Sequence, residues 1–389
     1  MPNTQVGNQV QYAYAPEVIL GVPVATPAGQ IVRWIPGTDS AISRSFTKNP
    51  EIRSDYMTAP GVAGGMRAKH AIAAVMSFGS YDDWLGYALG CAAWNANIVK
   101  VRPFTSSGAI SLASDSVAKT FTRTVGSFVT DGFVVGDIVL PNGFTTPANN
   151  TAFVVTAVSA LVITCGAATT IVTEVAAAGR SLTLDIHPGF TFERGDKGVG
   201  NYLAFPGTVV DNFDISGKSG SNAQVDIKFN LISKIVSNEN PVSVFTTLVQ
   251  PNGNDLLMSW TGSVKKGAVS ILNVVGWDIK VARNSDSAEV CASPDLYDIN
   301  PKAAVVTGKL DIWFDSIQFY NDFRLQTDVT FQLNLGPGGS KSYTLDFNRC
   351  RITKWGAPPK DGLMSSTIEW ESDVPLAGGT TSIQITRIP

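Results

Sequence analysis

With 389 residues, 44 % of them hydrophobic, the chain has material for a substantial core in one large domain or two to three ordinary ones. Charged residues make up only 16 %, and a formal net charge of −3 with no Lys/Arg block excludes a dedicated nucleic-acid binder, whose affinity comes mainly from phosphate contacts. A surface so poor in charge is expected to be covered in large part by other copies of the chain, and 36 Gly with 21 Pro supply the turns of an all-β fold.

The first sixteen residues carry no charged side chain and lack both the positive n-region and the apolar h-region of a secretory signal. They are expected to be a free tail or an arm lying on a neighbouring copy. Short apolar runs follow at 30–35, 51–56 and 66–78. In the last, Met66, Ala68, His70, Ile72, Ala74 and Met76 alternate onto one face while Arg67 and Lys69 point the other way, which predicts a strand. Next comes a helix: Ser80 as N-cap, Asp82 and Asp83 in the first turn, an apolar stripe of Trp84, Leu85, Ala88 and Leu89, and Gly90 at C′.

From 107 to 180 the composition shifts to Ala, Val, Thr and Gly, without Trp or Tyr. Strands are expected at 120–124, 138–140, 153–158, 160–165 and 171–175, with turns at Asp131-Gly132 and Asn142-Gly143. This reads as a small external β-domain inserted into a larger one, giving residues 1–106, 107–180 and 181–389. Further strands follow at 190–193, 225–232, 268–275, 277–281, 309–314, 329–335, 343–347 and 382–388. No repeat of fixed period is apparent, which argues against propellers and solenoids. No run of eighteen apolar residues exists, so no membrane span is predicted.

Chemistry has little to work with. His70 falls on the apolar face of a strand and His187 precedes Pro188 at a strand end. No GxSxG elbow is present, and Cys91, Cys165, Cys291 and Cys350 are too scattered for a CxxC pair, so they read as free thiols. The run from Gly195 to Gly200 lacks P-loop spacing and reads as a turn. Asp82-Asp83, and Asp311 with Asp315, read as cap and edge-strand acids. We expect no catalytic residue, no cofactor and no metal site. The densest aromatic group, Trp313, Phe314, Phe319, Tyr320 and Phe323, reads as core or subunit interface; the competing view is a surface adhesin or carbohydrate-binding β-module.

The order of segments is similar to that of the tail tube proteins of long-tailed bacteriophages. Trp34-Ile35, a polar loop and Pro50 to Asp55 resemble that family's opening strand, loop and strand. Residues 66–78 followed by Ser80 to Gly90 resemble its long strand and helix. Phe190-Thr191-Phe192-Glu193-Arg194-Gly195, then Tyr202 to Val209, then Val225 to Phe229 look like its central strands. Val306 to Leu310, Phe319 to Phe323 and Tyr343 to Arg349 look like its closing strands, and Ser127 to Asp137 is similar to small β-domains that decorate phage tails. The resemblance implies a tube-type β-sandwich or barrel with one flanking α-helix. It also implies hexameric rings stacked into a hollow tube in the virion tail, assembled in the host cytoplasm around a tape measure protein. Tail terminator and baseplate or tip proteins would be further partners, and the genome would pass through the lumen without specific binding and without contact with a membrane. The N-terminal arm and the loop at 36–50 are the expected inter-ring contacts.

Overall fold

In the computed structural model, residues 7–24, 27–51, 54–55, 57, 60–167, 169–220, 223–236, 239–291, 293–337, 340–358, 362–375 and 381–389 are described. Alternating apolar residues drive almost every element into strands, and the chain is all-β. The first half contains β1 (Val10–Glu17), β2 (Ala28–Ile31), β3 (Asp39–Thr47), β4 (Val62–Val75), helix α1 (Asp82–Ala88), β5 (Gly189–Asp196), β6 (Asn201–Lys218) and β7 (Val225–Ser233). The second contains β8 (Ser263–Lys266), β9 (Val269–Ile271), β10 (Val274–Ala282), β11 (Val305–Trp313), helix α2 (Gln318–Leu325), β12 (Val329–Leu335), β13 (Ser342–Gly356) and β14 (Ser365–Ser372).

All pairings among these strands are antiparallel, and the short strand Thr247–Val249 adds to β2 in parallel. The first half runs β2-β1-β5-β6-β7-β4-β3. The second runs β9-β8-β12-β13-β14-β11-β10, the same order with each strand replaced by the one seven places later. Each helix occupies the same position, after the fourth strand of its half. The repeat that no sequence period revealed is therefore present as topology.

The halves join where β6 pairs with β10. One continuous eight-stranded sheet results, in the order β3-β4-β7-β6-β10-β11-β14-β13. Its inner face carries Ile72, Phe213, Phe229, Ile279, Leu310 and Trp370 into the main core. The remaining strands and both helices lie over that core; Trp84 of α1 stacks on Phe190 at 5.5 Å, and Phe319 of α2 on Phe331 at 6.4 Å.

Between Ile98–Lys100 and β5 the chain forms a closed six-stranded barrel: Ile110–Asp115, Thr120–Arg123, Ile138–Asn142, Phe153–Val158, Val162–Cys165 and Glu174–Leu184. It has its own core around Leu112, Phe121, Phe153, Ile163 and Leu182.

Several expectations are corrected. Residues 10–16 form neither tail nor arm: β1 pairs along its whole length with β5 and buries Tyr12, Ala13, Tyr14 and Ala15. The lack of charge that made the segment look like a tail or arm suits it to burial inside its own chain, while residues 1–6 lie outside the described set. The supposed loop at 36–50 contains β3, an exposed strand whose polar alternation hid it. Of the expected strand at 51–56, residues 52, 53 and 56 lie outside the described set, and Ser54 and Asp55 form a turn.

Helix α1 starts two residues after Ser80. Its N-cap is Tyr81, without a side-chain cap bond, because the Ser80 hydroxyl is engaged by Ser77 Oγ (2.6 Å) and Asn252 Oδ1 (3.0 Å). Gly90 does sit at C′, with φ +79°. Asp131-Gly132 does turn the chain, with Gly132 at φ +101°, and the turn closes a short helix, Phe128–Asp131. Phe319 to Phe323 is helix, not closing strand: Phe319 is buried against the core while the rest of α2 is exposed or half-buried.

Candidate assembly surfaces

The histidines have structural surroundings. His70 is buried between Phe192 (4.9 Å) and Phe205 (4.4 Å), and its ring nitrogens meet Ser40 Oγ at 2.6 Å and Ser233 Oγ at 3.0 Å. Burial, assisted by the charge on Arg194, pushes its pKa down to about 3. His187 is half-buried beside Asp185, 3.2 Å away. Residues 197–200 make the turn between β5 and β6. Asp311 accepts from Thr367 Oγ1 on the neighbouring strand, and Asp315 follows β11 in a loop. Asp82 accepts from Tyr343 Oη (2.5 Å) and Arg387 (2.6 Å), and Asp83 from Tyr14 Oη (2.9 Å), so the paired acids tie α1 to strands of both halves. All four cysteines are free, with only Cys291 exposed. Among the described residues, no three His, Cys, Asp or Glu side chains converge as a metal site would need, and no helix is long and apolar enough to cross a membrane.

The distinctive surface is the outer face of the eight-stranded sheet, where polar side chains alternate with the buried ones. Opposite charges meet across neighbouring strands. Asp214 on β6 lies across from Lys228 on one side and Lys280 on the other. Asp278 faces Lys309, and Lys309 faces Glu369. Lys354 Nζ reaches Glu369 Oε1 at 2.8 Å. Partial burial raises the Asp214 and Asp278 carboxyls, and the flanking lysines pull them back down. The face thus has no block of a single sign.

The second feature is that this sheet ends in two unpaired edges. Among the described residues β3 pairs only with β4. The end of β13 beyond Cys350 pairs only with β14. Exposed apolar side chains gather near both edges: Ile42, Phe46 and Val62 on the β3–β4 hairpin, and Tyr320 of α2 against Trp355 of β13. Tyr320 packs edge-on to Trp355 at 5.1 Å. The aromatic group singled out from sequence is therefore divided, with Phe319 in the core and the rest partly exposed. Sequence reading missed Ile42 and Trp355 as edge residues, because whether a strand lies at an edge depends on partners far away in the chain.

A family model described as phage tail tube protein matches residues 7–384, nearly the whole chain. The chain belongs to that family. Its role is accordingly structural, as a tail tube protein of the virion that assembles into a tube with other tail proteins. No curated protein matches the chain. The chain thus presents one polar sheet face and, among the described residues, two unpaired sheet edges.

Proposed function

We propose that copies of this chain close head to tail into rings with six tube units about the axis, and that the rings stack into the hollow tail tube through which the genome enters the host. The observation that carries the reading is the eight-stranded sheet, polar on one face and unpaired at both edges. Joining edge to edge removes the aggregation liability of open strands and curls the sheets into one large barrel. Heterologous contacts of this kind give rings when the rotation closes. With the polar face inward, interspersed charges would let DNA slide past without the counterion-releasing contacts that hold it.

On this reading the protein is purely structural rather than an enzyme, and it takes no cofactor. A tape measure protein fills the tube during assembly in the host cytoplasm, and terminator and baseplate or tip proteins close its ends. The far end of the β3–β4 hairpin, with Phe46 and Val62 exposed, is our candidate for ring-to-ring contact. Residues 107–180 form an external domain, since a bore has no room for it. Electron microscopy of the purified protein should show hollow tubes of stacked rings. A monodisperse single chain that never polymerises, even with tail partners present, refutes the reading.

A further inference from the structure

The two halves match residue by residue, not only in strand order. Across β6, β7, β4 and β3 one row of paired residues runs Val210, Leu231, His70, Ser40. Across β13, β14, β11 and β10 the corresponding row runs Ile352, Trp370, Gly308, Ile279. Two of the register irregularities recur at the same places. The β5–β6 register slips between Phe190 and Phe192, and the β12–β13 register between Val329 and Phe331. The β6–β7 register slips between Val210 and Asn212, and the β13–β14 register between Ile352 and Lys354. Two such slips at matched positions are not a general property of antiparallel sheets; bulges are specific local features.

This alignment turns the seam inside the chain into a template. At the seam, β6 of the first half pairs with β10 of the second, Asn212 facing Ala282 and Phe213 facing Val281. In the second half the place of β6 is taken by β13, with Lys354 and Trp355 standing where Asn212 and Phe213 stand. In the first half the place of β10 is taken by β3, with Ser43 and Ile42 standing where Ala282 and Val281 stand. These two stretches are the unpaired edges of the sheet. Burial shows what each lacks: Val281 is 1 % exposed and Phe213 0 %, whereas Ile42 is 43 % exposed and Trp355 only half-buried.

We infer that this chain is two tube units in tandem, and that β3 of one chain pairs antiparallel with the end of β13 of the next copy, Ser43 opposite Lys354 and Ile42 opposite Trp355. The occupant of each edge is a second copy of the same chain, because the equivalent edge at the seam is filled by the equivalent strand. Every chain then offers one donor edge and one acceptor edge, the condition for a head-to-tail ring. A ring of six tube units is closed by three chains, not by the six that the family resemblance implies. The barrel is inserted into the first half only, so each ring carries one barrel for every two units. The chain count rests on the ring reading above; the strand pairing does not.

The test is site-directed cross-linking in the full chain. Cys291, the exposed native thiol, is replaced by serine, and Ser43→Cys and Lys354→Cys are introduced together. Both sites are exposed, and facing positions on antiparallel strands fall within disulfide reach. Mild oxidation of assembled tubes should give a ladder that ends in a closed three-chain species. Each single variant should stay uncross-linked, and an equimolar mixture of the two should stop at two chains. Tubes that form without cross-linking, or a ladder that closes at six chains, overturn the inference and leave the ring reading standing. Chains that neither form tubes nor cross-link overturn both.

Discussion

His70 is a packed, structural side chain, as its place on the apolar face of a strand leads one to expect. Its ring lies among phenylalanines and satisfies both nitrogens with serines, so the folded protein holds it neutral down to a pKa of about 3. The unfolded chain takes up the proton near 6.5. Between those values the unfolded state binds one more proton, so the stability His70 contributes is complete above about pH 6.5 and is lost as pH falls toward 3. The limiting slope is about 1.4 kcal/mol per pH unit for one proton. Replacing His70→Asn should remove that slope from denaturant-measured stability between pH 6 and 4, whatever it costs at neutral pH. Equal pH slopes in the two proteins would show that His70 does not titrate in this way. The packed histidine was legible from sequence because alternation placed it on the apolar face of its strand. The Ser233 that holds it was not, because the two residues meet only through the β4–β7 pairing.

At the scale of elements, seam and edge are the same geometry in two states, one filled and one waiting. Their substitutions should therefore fail in different ways. Phe213 is fully buried, and Phe213→Ala should destabilise the single chain by about 3–5 kcal/mol through the lost apolar contacts and the cavity left behind. Ile42 is partly exposed, so Ile42→Glu should leave the unfolding of the single chain within about 0.5 kcal/mol of the parent. It should nonetheless abolish tubes, because pairing would bury an uncompensated carboxylate. Chemical unfolding of unassembled chains and electron microscopy, run on the same samples, separate the two effects. Ile42→Glu chains that still polymerise would exclude β3 as a joining edge. Strand existence was readable for most elements, since alternation is local. Helix α2 was misread because five residues with three aromatics satisfy both periods, and only the packing of Phe319 on Phe331 decides between them.

At the scale of the molecule, the duplication escaped sequence reading for two physical reasons. The barrel stretches the first half by the whole segment between Ile98–Lys100 and β5, so no constant period survives. Topology is also conserved by pairing and burial rather than by residue identity, which lets His70 stand where Gly308 stands in the other half. The barrel itself should be dispensable for the tube. Its core is separate from the main one, and the chain enters and leaves it side by side, with Ser106 bridged to Thr183 and Thr105 accepting from the Leu184 amide at 2.8 Å. Its principal ionic tie to the tube is the buried pair of Arg102 and Asp137, 2.7 Å apart. Burial pushes the Asp137 carboxyl up to about 6 against the pull of Arg102, so this tie costs desolvation as well as contributing attraction. Excision of residues 107–184 with a short Gly-Ser bridge should leave tubes of unchanged axial repeat and bore but smaller outer diameter, as measured by helical averaging of electron micrographs. The excision reaches 184 because the barrel's last strand does. Because Arg102 is left as a buried charge without its partner, the excised chain should also carry Arg102→Ala. If that doubly altered chain fails to fold, the barrel belongs to the structural core of the tube and is not an attachment to it.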